Sequence, residues 1–275
     1  MTLDIGWFST GRGEGSRKLL AAVHREIGSG RLDARVATVF CNRAPGEDEN
    51  TDVFLEQAHA YDLPLVTFSS RDFRRRLGER PVREGESLPE WRREYDRESM
   101  RLLKPYRFKI GVLAGYMLIF AEEFTQRYDL LNLHPAAPGG PKGVWQDLIW
   151  QLIVTRAERA GIMMHLATPE LDEGPPVTYC TYSIRGGRFD ELWHQVEGRS
   201  LANIKAEEGA ANPLFAEIRR HGVAREVPLV IETLRAFAEG RVHIAAKLVV
   251  SAGGSPIAPF DLTAEIERSV AQALA

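Results

Sequence analysis

Apolar positions along this chain alternate between two rhythms. Short apolar runs at 3–8, 35–40, 63–68, 109–114 and 130–133 have the length and composition of buried strands. Between them the apolar residues recur at helical spacing. Leu19, Leu20, Val23 and Ile27 form one such stripe, and 51–61, 90–103 and 121–127 read as further helices. Ser16 reads as the N-cap of the first helix. The rhythm continues with a helix at 146–157, strands at 161–167 and 177–184, and helices at 200–221 and 227–238. A strand-like piece at 247–251, a Gly/Pro loop and a helix from about Leu262 close the chain. Strands alternating with helices predict an α/β fold with a doubly wound, mostly parallel sheet. In such sheets ligands sit beyond the carboxyl ends of the strands.

Several polar features fall at those ends. Gly11-Arg12-Gly13-Glu14-Gly15-Ser16-Arg17 lies between the first strand and the first helix. A glycine turn entering a helix N-terminus suits an anion, and the Arg17 guanidinium suits phosphate oxygens. Counted from Gly11, the sixth position is Ser16, and the second strand ends in Cys41-Asn42-Arg43 without an acid. The turn therefore reads as a phosphate site of Gly13, Glu14, Gly15, Ser16 and Arg17 rather than a nicotinamide fingerprint, with a plain structural turn as the other reading. The run Leu131-Asn132-Leu133-His134-Pro135, followed by Leu171-Asp172-Glu173-Gly174-Pro175, brings an amide, an imidazole and a carboxylate to strand ends. Asn can donate to a developing oxyanion, His can move a proton near neutral pH, and Asp can orient or charge it. No nucleophilic Ser or Cys accompanies them, so direct acyl transfer to an amine fits better than a covalent acyl-enzyme.

These motifs resemble the folate-dependent formyltransferases. The resemblance runs through Tyr95-Asp96-Arg97-Glu98, Gly111–Met117, Asn132-Leu133-His134-Pro135, Met164-His165-Leu166 and Glu170–Pro175, and reappears at Pro228–Ile231 and Phe237–Arg241. It implies a Rossmann-like formyltransferase domain over 1–243, with 244–275 as a C-terminal extension packed on it. It implies transfer of a formyl group from 10-formyltetrahydrofolate, as co-substrate, to the primary amine of a phosphorylated small molecule. Glycinamide ribonucleotide, a purine precursor, is the first choice. Asn132 would bind the formyl oxygen, His134 stabilise the tetrahedral intermediate and Asp172 assist proton transfer. The glycine turn would hold the acceptor's phosphate, and Tyr116, Met117, Leu118, Ile119 and Phe120 would wrap the pterin. Trp145 would either stack on a flat ring or cover the helix that follows.

The chain departs from the family at three places. Leu118 stands where an Arg is usual, Pro141–Gln146 replaces a Pro-Gly-x-His type loop, and Gly222–Glu226 shifts a ribose-binding Glu-His pair out of register. These departures keep other outcomes open: another amine acceptor such as an amino sugar nucleotide, hydrolysis of the formyl donor, or a folate- and phosphate-binding pseudoenzyme without turnover.

Composition narrows the setting. The 275 residues are 44% hydrophobic and 27% charged, with net charge −3, which is ordinary for a globular protein and advertises neither nucleic acid nor an anionic membrane. Arg71, Arg74, Arg75, Arg76 and Arg80, followed by Glu79, Glu84 and Glu86, read as a solvated helical face or as a site for an anionic tail. Cys41 and Cys180 lie in apolar stretches and read as buried free thiols. His24, His59, His194, His221 and His243 make no metal spacing, so no metal is expected, and His165 reads as structural. With no leader or membrane-length apolar run, a cytoplasmic protein acting on small molecules is expected, and a homodimer is left open.

Overall fold

A computed structural model describes residues 2–82 and 86–274; at 272–274 only the backbone is described, and Glu84 of the charged segment lies outside these residues. In chain order the elements begin with β1 (Leu3–Ser9), α1 (Glu14–Gly28), β2 (Ala34–Cys41), α2 (Glu49–Ala60), β3 (Leu65–Thr67), α3 (Ser70–Arg76), α4 (Glu90–Leu103), β4 (Ile110–Leu113), α5 (Glu122–Arg127) and β5 (Leu130–His134). They continue with α6 (Trp145–Val154), β6 (Arg159–Leu166), β7 (Pro176–Ser183), α7 (Arg188–Val196), α8 (Leu201–Glu207), α9 (Pro213–Ala238), β8 (His243–Ala245), β9 (Leu248–Val250), β10 (Phe260–Asp261) and α10 (Thr263–Leu274). The sheet has eight strands and is mostly parallel, as the alternating pattern predicts. No helix of the described residues is long and apolar enough to cross a membrane.

The chain divides into two compact units. The first comprises residues 1–132, 166–175 and 234–256; the second comprises 133–165, 176–233 and 257–275. In the first, β1 pairs in parallel with β2 and β4, β2 with β3, and β4 with β5. β1 and β4 are buried almost throughout, which is why they read as apolar runs rather than as alternation. Phe8, Phe40, Tyr95, Phe120 and Phe124 form an aromatic core beside them. Gly111 is required there, because a Cβ would collide with Leu130 and Phe8.

In the second unit, β6 and β7 are antiparallel and β10 adds to β7 in parallel. Trp150, Tyr182, Phe189, Trp193 and Phe215 dominate its core. Cys41 of the first unit and Cys180 of the second are buried free thiols, and burial pushes them up to about 11 and about 12.

Three expectations are corrected. Ser16 is not a cap: Gly13 holds that position, and the Ser16 hydroxyl donates back to the Gly13 carbonyl at 2.7 Å from inside the helix. The expected helix at 200–221 is broken, because α8 ends at Glu207 and α9 begins at Pro213. Asn212 caps α9 by accepting from the Phe215 N–H at 3.1 Å, and a proline at the first helical position needs no donor. Conversely, α9 continues through Pro228, where the sequence suggests a new helix. An interior proline costs about 3 kcal/mol, but Leu229, Val230, Leu234 and Phe237 bury completely on the same helix, and a buried Leu or Phe contributes roughly 1.5–3 kcal/mol each. The short strands β8 and β10 and helix α7 lie in stretches that gave no signal in the sequence.

Candidate active site

Within the first unit, the carboxyl ends of β1 and β4 are tied together by hydroxyls. Ser9 Oγ donates to the Ala114 carbonyl at 2.7 Å, and Thr10 N–H donates to the Gly115 carbonyl at 3.1 Å. Thr10 Oγ1 accepts from Met117 N–H at 3.0 Å, while the Thr10 carbonyl accepts from Thr51 Oγ1 at 3.0 Å. Gly11 turns the chain at φ +74° with Phe54 packed against its Cα face, so only glycine suits the position. The glycine turn and the 115–119 segment are thus bolted side by side. Sequence reasoning missed Ser9 and Thr10 because their partners are distant in the chain.

The turn leads into α1, which has no side-chain cap, so its first-turn N–H groups remain available to a ligand, apart from that of Ser16, which donates to the Gly13 carbonyl at 3.2 Å. Gly13, Glu14 and Gly15 are exposed. Arg17 Nη1 donates to the Asn50 carbonyl at 3.2 Å, which leans its guanidinium towards α2. Arg12 pairs with Asp48, the N-cap of α2, at 3.2 Å. Glu14 would repel an anion, but its carboxylate is drawn off to Lys18 at 2.9 Å, and that hydrogen bond lowers its pKa.

The 116–120 segment divides into two faces. Phe120 is buried in the aromatic core and Tyr116 stacks on it at 4.7 Å, so these two rings hold the segment down. Met117, 73% exposed, and Ile119, 39% exposed, face outward. Behind them lies a buried ion pair. Arg92 donates to Asp96 Oδ1 at 3.3 Å and to the Ile119 carbonyl at 2.7 Å, and Asp96 Oδ2 accepts from Ala121 N–H at 2.6 Å. Burial pushes the Asp96 carboxyl up to about 6 despite these partners. A charged residue inside the apolar stripe of α4, between Trp91 and Tyr95, is the signal that could have revealed Arg92 in the sequence.

Asn132 stands near the end of β5. Its Nδ2 donates to Asp172 Oδ1 at 3.4 Å, so two of the three expected polar groups meet within the first unit. Asp172 sits at φ +55°, a left-handed conformation that Asp tolerates better than most residues, and this aims the turn of residues 171–174. His134 ends the same strand, two residues after Asn132. His134 is 2% exposed, its Nε2 lies 3.2 Å from the Pro141 carbonyl, and its ring meets His165 edge-on at 6.0 Å, all within the second unit. A carbonyl only accepts, so Nε2 carries the proton in that bond.

Trp145 begins α6 and packs on Phe215 at 5.9 Å, with the Arg219 guanidinium 4.5 Å from its ring centre. Glu226 is held by Arg219 at 2.9 Å, and Val223 is exposed. Among the described residues no group of three or more His, Cys, Asp or Glu side chains gathers to hold a metal ion.

Known proteins of one family are similar to this chain. Residues 12–186 match the family model described as formyl transferase. A phosphoribosylglycinamide formyltransferase of Dictyostelium discoideum is 25% identical over 215 residues, covering 73% of this chain and 95% of that protein. One from Haemophilus influenzae is 26% identical over 167 residues, covering 60% and 66%. Among solved structures, the phosphoribosylglycinamide formyltransferase of Coxiella burnetii superposes with a TM-score of 0.64 at 20% identity, covering 95% of this chain and 99% of that one. A formyltetrahydrofolate deformylase from Burkholderia mallei gives 0.59 at 17% identity, covering 91% and 70%. Transferases and deformylases therefore share this fold.

Proposed function

The chain belongs to the formyl transferase family, and from that premise we infer that it moves a formyl group from 10-formyltetrahydrofolate to the primary amine of glycinamide ribonucleotide. The observation that carries the reading is the Asn132–Asp172 contact of 3.4 Å, in the unit that also holds the bolted glycine turn and 115–119 segment. The acceptor nitrogen attacks the formyl carbon, and the formyl oxygen becomes an alkoxide. Asn132 Nδ2 donates to that oxygen, and a protonated His134 stabilises its charge, so both act where charge develops. Asp172, holding Asn132 in place at rest, takes the proton lost by the attacking amine. Collapse of the tetrahedral adduct breaks the bond to the folate nitrogen, which leaves as tetrahydrofolate with a proton.

The outward face of Met117–Ile119 supplies an apolar wall for the pterin, and the Gly13–Arg17 turn takes the acceptor's phosphate. No step needs a metal, and the proposed setting is the cytoplasm. Loss of 10-formyltetrahydrofolate, followed by absorbance, is expected to require glycinamide ribonucleotide. Equal loss without any amine would make the protein a hydrolase instead, and loss only with an amino sugar nucleotide would reassign the acceptor. Arg17→Ala is expected to raise KM for the phosphorylated acceptor roughly tenfold, the worth of one charge-assisted contact, while KM for the folate changes little. A parallel rise in both constants would remove the phosphate from this turn.

A further inference from the structure

The second unit holds a cavity of about 440 Å³ between the end of α6, the turn after β7, α7 and the start of α8. It is remote from His134. Ser183, the last residue of β7, pairs with Arg159, the first of β6, so the cavity lies at the opposite end of β6 from His165. The strand from Arg159 to His165 spans about 20 Å. Arg156 and Arg185 line the cavity beside Trp193, Val196 and Leu201.

Both arginines are placed by the backbone. At the end of α6, the Ala157 N–H donates to the Leu152 carbonyl at 2.9 Å and the Arg156 N–H to the Ile153 carbonyl at 3.2 Å. Arg156 takes the left-handed position of this helix ending, at φ +50°, where glycine is usual and a side chain is strained. Its carbonyl, not its side chain, accepts from Arg185 Nη2 at 2.7 Å. A glycine would keep that bond and shed the strain, so the local structure gives no reason for a guanidinium here. Arg185 is half-buried and lies over the Trp193 ring, 3.9 Å from its centre. Its N–H donates to Ser183 Oγ at 3.1 Å, which fixes the turn that carries it. A guanidinium stacked on an indole keeps its N–H edge for another partner.

The nearby carboxylates are engaged elsewhere. Glu197 pairs with His194 at 3.1 Å, Glu208 with Arg199, and Asp190 accepts from the Gly186 N–H at 2.8 Å. Among the described residues neither Arg156 nor Arg185 has an acidic partner. One guanidinium fork fills a carboxylate, whereas two forks suit the three oxygens of a phosphate. The side chains of Trp193, Val196 and Leu201 suit a flat ring joined to it. We propose that this cavity is a second ligand site, separate from the reacting centre, and that it takes a phosphate monoester carried on an aromatic or heteroaromatic group. The phosphate lies between Arg156 and Arg185, and the ring lies against the apolar wall. The strain at Arg156 is kept for this contact.

The test is calorimetric titration with AMP, phenyl phosphate, adenosine and inorganic phosphate, comparing wild type with Arg156→Gly. The substitution removes the guanidinium and suits the backbone, so the variant is expected to melt no lower than wild type. AMP or phenyl phosphate is expected to bind wild type below millimolar concentration, and Arg156→Gly to bind it roughly tenfold more weakly, the worth of one charge-assisted contact. Excess glycinamide ribonucleotide should leave that affinity unchanged, and amide hydrogen exchange should slow at 153–157 and 184–201 when the ligand is bound. Binding that glycinamide ribonucleotide displaces, with protection at the glycine turn instead, places the phosphate at the acceptor site and overturns the proposal. Adenosine or inorganic phosphate binding as tightly as both ringed phosphates overturns it, because the ligand is then not read as a ring joined to a phosphate. Unchanged affinity in Arg156→Gly, or no binding of either ringed phosphate at millimolar concentration, overturns it as well.

Discussion

Replacing His134 by alanine is expected to lower kcat by roughly 10²–10⁴-fold, the usual worth of a positioned acid–base group, with a far smaller change in KM for either substrate. The position of the imidazole sets the size of this effect. His134 ends β5 two residues after Asn132, is almost wholly buried, and keeps one nitrogen on the Pro141 carbonyl. A buried imidazole so fixed loses little conformational freedom at the transition state, as the role proposed for it requires. His134→Gln, which keeps a donor but cannot carry the charge, is expected to fall near the alanine variant. Near wild-type turnover by a folded His134→Ala protein would sink the role given to this residue. Equal loss of substrate affinity would make His134 a support for the loop at 138–143 instead.

Arg92→Ala is expected to destabilise the protein by about 3–5 kcal/mol near neutral pH, because it leaves Asp96 buried without its cation. Both side chains of this pair are at most 2% exposed, so water cannot replace the guanidinium. The cost should depend on pH in a definite sense. The Asp96 carboxyl is pushed up to about 6 in the fold, from an ordinary value of 3.8. Between those values the folded protein binds the proton more readily than the unfolded chain. The contribution of Asp96 to stability therefore falls as pH rises through this window and levels off above it.

Removing Arg92 takes away an attraction that holds this pKa down, so the window widens upward. The difference between wild type and Arg92→Ala should be small near pH 4, where Asp96 is protonated in both, and largest above pH 7. Urea unfolding across that range measures it directly. Arg92→Leu/Asp96→Asn should recover part of the loss, since neither partner is then left charged. A pH-independent difference would mean that the lost packing of Arg92 on Trp91 and Tyr95, at 5.4 and 5.2 Å, carries the effect instead.

Most of the fold was legible because buried parallel strands and amphipathic helices leave strong local periodicities, as in β1, β4 and α4. Errors arose where tertiary burial outweighs local preference. Pro228 reads as a break, yet α9 runs through it because the helix face around it is buried. Asn212-Pro213 is a sound start signal that was lost inside an apolar stretch. Ser16 looked like a cap because its hydroxyl does bond a nearby backbone group, only from within the helix.

The polar groups of the candidate site were readable as motifs, since each sits at a strand end in a short run. Asn132 and Asp172 meet at 3.4 Å. What could not be read was anything assembled from distant segments by side-chain reach. The Ser9 and Thr10 hydroxyls find partners more than a hundred residues away. Arg43, Arg74 and Arg92 share a cavity although they come from the loop after β2, from α3 and from α4, and no local pattern encodes that approach.

The two buried cysteines have a practical consequence. Alkylation requires a thiolate, and burial holds Cys41 and Cys180 so far above their ordinary value that almost none forms at neutral pH in the closed fold. Labelling must therefore await a local opening, and its rate reports how often that opening occurs. One thiol lies in each compact unit. The native chain thus carries a separate chemical clock in each half, and single Cys→Ala variants would let the breathing of one half be timed without the other, with and without substrates bound.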